Sequence, residues 1–520
     1  MHFLLCASYF AVLSFLAMYG LHRSHLVITC MRHARKLRTV KDDVALLPMD
    51  TALDLVPYVT VQLPLYNEAT VAARLLEHVS KLEYPREKLE IQVLDDSTDE
   101  TRALVRDCIA RLRDADTSET PLDITYIHRV DRSGYKAGAL DAGLKVAKGE
   151  LVAVFDADFL PQPDFLRALA PNFMDDPKVG MVQARWGHLN REHSLLTRTQ
   201  ALMLDGHHLV ENRARSAAGW LFNFSGTGGM WRKEAIGSSG GWQHDTLTED
   251  LDLSYRAQLA GWKFIYRANV VSPAELPEDV SAFRAQQYRW AKGTVQTARK
   301  LLKRVLTAPT LSPMQRIEAL FHLTPHFAYP LMVFLSVLLL PALILMPATN
   351  VRAMVLIDLP LCIGTTGSLA AFYAMAEGAQ GRSRWGAMKQ LPALLALGAG
   401  LAPHLSKAVF EGLRSMAGEF VRTPKKGVAQ GRYRARADLP LIEIALCLVS
   451  FGSVVASLET GHWFATPFAM MFTFGYGYVA TLVATEEMAR RAATTLAPAS
   501  SDAQSIPSPA PSRGDFSEAA

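Results

Sequence analysis

The chain has 520 residues, half of them apolar and 20% charged, with a formal net charge of +4. That length admits one large soluble domain plus membrane segments. The small positive surplus excludes a nucleic-acid partner, because the basic residues cluster beside apolar blocks rather than on one face. Five scattered cysteines (Cys6, Cys30, Cys108, Cys362, Cys447) exclude a disulfide scaffold and a cysteine metal centre.

Residues 1–31 form an apolar run with no basic leader before it and no small-residue cleavage site. Basic residues from Arg32 to Arg38 follow it, which predicts an uncleaved transmembrane anchor with its N-terminus outside. Residues 50–310 then read as a soluble domain. Strand patterns at 58–64, 89–94, 124–128 and 151–155 alternate with helical patterns at 69–80, 100–113 and 136–147. This alternation predicts an α/β fold with a doubly wound, mostly parallel sheet. Ligands bind such sheets where the strands end. Three strand ends here carry polar residues: Tyr66-Asn67-Glu68, Asp95-Asp96-Ser97 and Asp156-Ala157-Asp158. One acidic strand end is usually a helix cap, but three together imply a site.

Each motif points to a chemistry. Asp156 and Asp158 are hard oxygen ligands suited to Mg²⁺ or Mn²⁺, which in turn hold a diphosphate. Asp96, with its neighbour Asp95, can accept hydrogen bonds from a nucleobase or ribose, and the plainer role is an N-cap. Lys136 opens a helix, where the dipole disfavours a cation, so an anion is expected to meet it; a solvated surface lysine is the alternative. In Thr248-Glu249-Asp250, Asp250 is the candidate base that takes a proton from an acceptor hydroxyl, although the triplet also suits capping. Phe222 to Trp231 offers glycines and aromatic surface for an acceptor sugar, or simply buried packing. Gln286, Arg289 and Trp290 share one helical face. There an arginine can neutralise a departing diphosphate and an indole can stack on a pyranose. A helix lying on a membrane would also explain this pair.

Apolar blocks follow at 317–346, 353–376, 440–458 and 463–485, predicting transmembrane hairpins over 317–376 and 439–486. The stretch 390–412 holds Pro403, His404, Lys407 and Glu411. If it crossed, the basic stretch from Arg414 to Arg436 would face outward, so it is expected at the interface. Together with the loop after it, it makes up a region spanning 390–436. Residues 32–310 then lie in the cytoplasm beneath the plasma (inner) membrane. The Ala-, Ser- and Pro-rich tail, 492–520, is expected to be disordered.

The acids Asp96, Asp156-Ala-Asp158 and Thr248-Glu-Asp250, followed by Gln286-x-x-Arg289-Trp290, resemble glycosyltransferase family 2, in its cellulose synthase-like branch, over about residues 55–305. The runs 240–253 and 261–266, Gly134-Tyr-Lys-Ala-Gly138 and Glu275-Leu-Pro277 are similar to plant glucomannan and xyloglucan-backbone synthases. The resemblance implies a GT-A domain, a UDP- or GDP-sugar donor, inversion, and extension of a growing β-linked glycan at a lipid bilayer, with accessory export subunits compatible. It assigns Asp96 to the nucleotide, Asp156 and Asp158 to the metal and diphosphate, and Asp250 to the base. Lys136 and Glu249 belong with the substrate, and Gln286, Arg289 and Trp290 line the junction of donor and acceptor. Phe420-Val-Arg-Thr-Pro-Lys425 is similar to the gating loop of cellulose synthases. Arg432 and Arg436 fit a cyclic-di-GMP pattern, but no barrel-length region follows, which excludes that regulation. Two further readings remain: single addition to a lipid acceptor, and a non-catalytic partner of another synthase.

Overall fold

The computed structural model describes residues 2–33, 45–345, 366–416, 418 and 440–496. A long first helix, α1 (His2–Arg32), precedes the soluble domain. There the elements used below are β1 (Val59–Leu65), α2 (Ala72–Val79), β2 (Leu89–Asp95), α3 (Thr101–Ala115), β3 (Asp123–His128), α4 (Tyr135–Val146) and β4 (Leu151–Val154). They continue with β5 (Val179–His188), α5 (Leu195–Gly206), α6 (Asn212–Ala218), β6 (Gly229–Arg232), α7 (Glu249–Leu259), β7 (Lys263–Ala274) and α8 (Val280–Thr307).

The seven strands lie in the order β3-β2-β1-β4-β6-β5-β7. The first four run parallel, β6 is antiparallel to both β4 and β5, and β7 is parallel to β5. Strand β1 therefore has β2 on one side and β4 on the other, so successive connections leave it in opposite directions. That is the switch point where a parallel sheet opens a crevice at its carboxyl edge.

Alternation along β1 sets the two faces. Val59, Val61, Leu63 and Leu65 join Leu75, Leu76 and Val79 of α2 in one apolar core, each side chain contributing roughly 1.5–3 kcal/mol by leaving water. The opposite face carries polar rungs. Thr60 donates to Glu90 at 2.7 Å, and Gln62 donates to Gln92 at 3.1 Å and to the Leu140 carbonyl of α4 at 3.4 Å. These groups are buried, and the rungs satisfy their donors, while the Gln62 side-chain oxygen is left without a partner among the described residues.

Beyond the domain come α9 (Pro313–Leu323), α10 (Ala328–Leu345), α11 (Ser368–Ala379), α12 (Arg384–Arg414), α13 (Leu441–Glu459) and α14 (Thr466–Leu496). Among the described residues five helices are long and apolar enough to cross a membrane: Phe3–Arg32, Pro325–Leu345, Arg384–Arg414, Leu441–Glu459 and Thr466–Ala489. The block expected over 353–376 is described only from residue 366. Its described end is α11, whose Phe372 and Tyr373 pack on Leu202, Leu209 and Val210 of the soluble domain. The stretch 390–412 lies within one continuous helix, α12, although Pro392 and Pro403 stand inside it. The expected disorder from 492 is corrected at its start, because α14 carries helix through Leu496. The gating-like loop 420–425 and the pair Arg432 and Arg436 fall outside the described residues.

Candidate active site

The crevice beyond β1 and β4 is a cleft of about 200 Å³. Asp96, Lys136, Asp156, Asp158, Glu249, Asp250, Gln286, Arg289 and Trp290 all line it. They come from segments that lie far apart in sequence, and the sheet edge gathers them.

At the β1 end, Asn67 adopts φ +54°, a left-handed turn that a short polar side chain tolerates. Its N–H donates to Ser97 Oγ at 2.8 Å, and its Oδ1 accepts the Thr98 N–H at 2.8 Å. The loops after β1 and β2 are thereby tied together. Asp96 accepts two hydrogen bonds from Arg129, at 2.8 and 2.5 Å, which orient its carboxylate at the cleft wall. Beside it the Arg132 guanidinium lies 3.3 Å over the Tyr66 ring and 4.9 Å from that of Tyr135. A flat cation on an aromatic face is a platform on which a nucleobase can stack.

Asp95 does not belong to the cleft, and the expectation that it binds substrate is corrected. Its carboxylate is fully buried. Oδ1 accepts the Ser97 N–H at 2.9 Å and Oδ2 accepts the Tyr126 hydroxyl at 2.7 Å, so both oxygens brace the turn that presents Asp96.

At the β4 end, the Asp156 N–H donates to Thr227 Oγ1 at 2.9 Å. Asp156 Oδ1 lies 2.5 Å from Lys136 Nζ, which also donates to the Gly226 carbonyl at 2.9 Å. Asp158 is 7% exposed. Lys136 reaches this point because Gly134 and Tyr135 take successive left-handed conformations, φ +72° and +50°, where α4 begins. Burial alone would push Lys136 down, but the charges of Asp156, Glu249 and Asp250 hold it above its ordinary value.

Asp250 stands in the first turn of α7, where its Oδ1 accepts the Leu251 N–H at 2.8 Å. Burial and the neighbouring Glu249 carboxylate push it up to about 7, against the pull of Lys136. Glu249 is also raised, by burial first and against the pull of Lys136. Gly226 faces this pair with φ +82°, and a Cβ there would stand 3.0 Å from Asp250 Oδ2. Bare backbone is what leaves the carboxylate room.

Helix α8 closes the cleft. Burial draws Arg289 down from its ordinary value while Glu249, Asp156 and Asp250 oppose the shift, so it faces all three acids as a cation. The ring of Trp290 lies 6.4 Å from that of Trp186, which in turn packs 5.2 Å from Phe159. The N-terminus of α8 is held from the membrane side: Glu486 of α14 accepts the N–H groups of Val280 and Ser281 at 2.5 and 3.1 Å. A carboxylate suits those orphan donors and the positive helix end.

Among the described residues no cluster of three or more His, Cys, Asp or Glu converges on one point. The donor set fits a different kind of metal site. A Mg²⁺-type ion is commonly held by one or two carboxylates plus substrate phosphates rather than by a protein cage. Asp156 and Asp158 supply the carboxylates, and the Lys136 ammonium against Asp156 marks a place where positive charge is stabilised.

Sequence reasoning missed several residues that line the cleft, among them Trp186, His188 and Arg132. Trp186 and His188 end β5, a strand outside the recognised alternation. Arg132 lies two residues before the run Gly134–Gly138, where only the lysine was singled out.

Residues 57–293 match the family described as Glycosyltransferase like family 2. Glucomannan 4-beta-mannosyltransferase 1 of Oryza sativa subsp. japonica is 33% identical over 455 residues, covering 82% of this chain and 84% of its own. Glucomannan 4-beta-mannosyltransferase 9 of Arabidopsis thaliana is 30% identical over 475 residues, covering 86% and 84%. The solved structure of mannosyltransferase PcManGT from Pyrobaculum calidifontis in complex with GDP-Man and Mn2+ is 26% identical, with a TM-score of 0.48 over 70% of this chain and 97% of that one.

Proposed function

The chain belongs to glycosyltransferase family 2, in its cellulose synthase-like branch, and from that premise we propose that it extends a β-linked mannan, glucan or glucomannan from a nucleoside diphosphate sugar. It is a GT-A-like enzyme, which removes the reading as a silent partner. The relatives' 4-β-mannosyl transfer makes GDP-mannose the first donor to test and UDP-glucose the second. The observation that carries the proposal is the meeting, in one cleft, of the paired acids Asp156 and Asp158 with the base candidate Asp250 and the Gln286-Arg289-Trp290 face.

The chemistry follows from that meeting. The nucleotide lies over Asp96 with its base against Tyr66 and Arg132. Asp156 and Asp158 would hold Mg²⁺ or Mn²⁺, which supplies positive charge to the diphosphate. An acceptor hydroxyl, held on Trp290, attacks the anomeric carbon from the face opposite the diphosphate. As the new C–O bond forms, Asp250 takes the hydroxyl proton, and the electron pair of the breaking C–O bond leaves on the diphosphate. A base poised near 7 suits this task at neutral pH. Lys136 and Arg289 stand where negative charge grows on the leaving group.

The soluble domain is placed in the cytoplasm beneath the plasma membrane. Arg32 at the end of α1 supports this by the positive-inside tendency. Contacts at the domain side order the spans: Tyr19 donates to the Thr324 carbonyl at 2.8 Å, Arg284 pairs with Glu443 at 3.0 Å, and Glu486 caps α8. Helix α12 has the length to cross, yet both its ends meet the domain. Leu391 and Leu394 pack on Leu202 and Val210, while Glu411 pairs with Lys292 at 3.0 Å and the Gly412 carbonyl accepts from Arg299 at 2.9 Å. A crossing helix would carry one end about 30 Å away, so these contacts support the interfacial placement.

Behind α8, Phe283 and Gln287 line a cavity of about 410 Å³ within the helical bundle, shared with Tyr9, Tyr329 and Phe472. This supports passage of product into the membrane region, with accessory export subunits beyond it. Its mostly apolar wall also fits the second reading, transfer of one sugar to a lipid. Full-length protein in nanodiscs, given radiolabelled GDP-mannose or UDP-glucose, separates the two. Polymer that a linkage-specific β-mannanase or β-glucanase digests is the expected product. Only a mono- or disaccharide on lipid, at every donor concentration, would overturn the polymer reading.

A further inference from the structure

A basic groove, of about 920 Å³, lies away from the cleft, where the domain end of α1 meets α11 and the start of α12. Arg185, Arg213, Arg382 and Arg384 line it. Their partners within the chain are weak or neutral. Arg185 is held by the Ala268 carbonyl at 3.0 Å and the Gln380 amide oxygen at 3.2 Å, neither of them charged. Arg213 and Arg384 make no hydrogen bond or ion pair among the described residues, and Arg213 Nε is buried without a partner. Arg384 instead lies beside Gly378, where a Cβ would come within 2.8 Å of its Nε.

The nearby carboxylates do not cancel this charge. Arg382 reaches Asp205 and Glu377 only at 3.6 and 3.7 Å. Both acids are already bound by Arg191, which contacts Glu377 at 2.7 Å and Asp205 more closely still. Among the described residues the groove is thus left with a surplus of guanidinium. Its other wall is apolar, formed by Val27, Met31 and Met375. Beside it Trp385 is 76% exposed, as an indole at a membrane surface is expected to be. Along α1 the groove begins past the stretch of about 20 residues that a hydrocarbon core requires, which places it at the headgroup layer.

We propose that this groove binds the phosphate headgroup of an anionic glycerophospholipid from the leaflet facing the soluble domain. The four guanidiniums surround the phosphate, and Val27, Met31 and Met375 meet the start of the acyl region. Basic pockets between membrane helices and the surface below them suit such headgroups, and the planar guanidinium fork matches phosphate oxygens. The lipid would join α1, α11 and α12 to the domain at a point where the described residues leave these cations unneutralised. This inference rests on the membrane placement of α1, and not on the identity of the sugar or the transfer chemistry.

The test uses full-length protein in a neutral detergent, titrated with short-chain phosphatidylglycerol and read by native mass spectrometry. Phosphatidylcholine serves as the zwitterionic control, and inorganic phosphate as the headgroup without a lipid. Phosphatidylglycerol should bind at least about tenfold more tightly than phosphatidylcholine, and inorganic phosphate should not displace it at equal concentration. The double variant Arg213→Gln/Arg384→Gln should weaken phosphatidylglycerol by about ten- to thirtyfold. Neither side chain has a hydrogen-bond or ion-pair partner among the described residues, so the fold should stand, as a melting curve checks. Lys81→Gln/Lys145→Gln, on the exposed surface of the soluble domain, removes the same charge elsewhere and should leave binding within about twofold. Equal retention of phosphatidylglycerol by wild type and the Arg213/Arg384 variant, equal binding of phosphatidylcholine, or equal competition by inorganic phosphate would each overturn the lipid assignment.

Discussion

Replacing Asp250 with Asn keeps the side chain's shape and removes both its basicity and its charge. Asp250 is raised from an ordinary 3.8 to about 7 by burial and by Glu249, with Lys136 opposing. Two effects of opposite sign follow. Turnover should fall by roughly two to four powers of ten, the weight of a positioned general base, while donor affinity stays within about twofold. Stability should move the other way. An acid with a raised folded pKa contributes stability that is complete below its unfolded pKa and is lost as pH rises through the folded value. For Asp250 that window runs from 3.8 to about 7. At pH 8 the charged carboxylate then costs on the order of 2–4 kcal/mol, an upper bound because water reaches the cleft. Asparagine carries no such cost. The variant should melt at a higher temperature than wild type at pH 8 and together with it near pH 4. The assays are single-turnover transfer in nanodiscs and fluorescence-monitored melting at the two pH values. A helix-cap role predicts neither result, since Asn caps as well as Asp. Turnover within about threefold of wild type, with no pH-dependent gap in melting, would refute the reasoning.

Further expectations test the rest of the cleft. The acid limb of kcat/KM should lie near pH 7; Glu249→Gln should move it lower and Lys136→Met higher, because the first removes a charge that raises Asp250 and the second one that lowers it, as a pH–rate series would read. Asp158→Asn should abolish the Mg²⁺- or Mn²⁺-dependent part of donor binding without unfolding; calorimetry showing equal affinity in wild type and variant, with metal and with excess chelator, would remove the metal role. Gly226→Ala should lower turnover at least about tenfold at unchanged donor affinity, since its Cβ would press within 3.0 Å of Asp250 at φ +82°; stopped-flow kinetics separate the two. Asp95→Asn should lower stability by about 1–3 kcal/mol, because a buried acceptor of two hydrogen bonds is altered; a raised donor KM with an unchanged melt would instead restore it to the binding site.

The parallel half of the sheet was legible because its strands are short apolar runs closed by polar residues, the pattern that buried strands joined by helices impose. The antiparallel β6 was not. Its four residues, Gly229–Arg232, carry no alternation and follow a glycine-rich turn that reads equally well as loop. Asp95 and Asp96 show a different limit. Asp95 closes β2 and Asp96 is the first residue past it, and the two like acids met opposite fates, one turned to the Tyr126 hydroxyl and one to the cleft. Composition cannot tell which, because register and the partner strand decide it.

Helix α8 shows most clearly what periodicity alone leaves out. Its spacing placed Gln286, Arg289 and Trp290 on one face, and the cleft receives that face. The neighbouring positions Phe283 and Gln287 line the bundle cavity instead, so one helix stands between the cleft and that cavity. The groups that fix its angle, Glu486 at its N-terminus and Glu443 on Arg284, come from membrane helices 150 residues or more downstream. A carboxylate buried among apolar spans is costly unless it is paired, and here the pairing is with the helix that carries Trp290. The position of Trp290 is therefore set from the membrane side as much as from the sheet. On the proposed function, in which each new sugar passes from cleft to bundle, that shared reference matters because a small misplacement of the acceptor from the anomeric carbon costs orders of magnitude in rate.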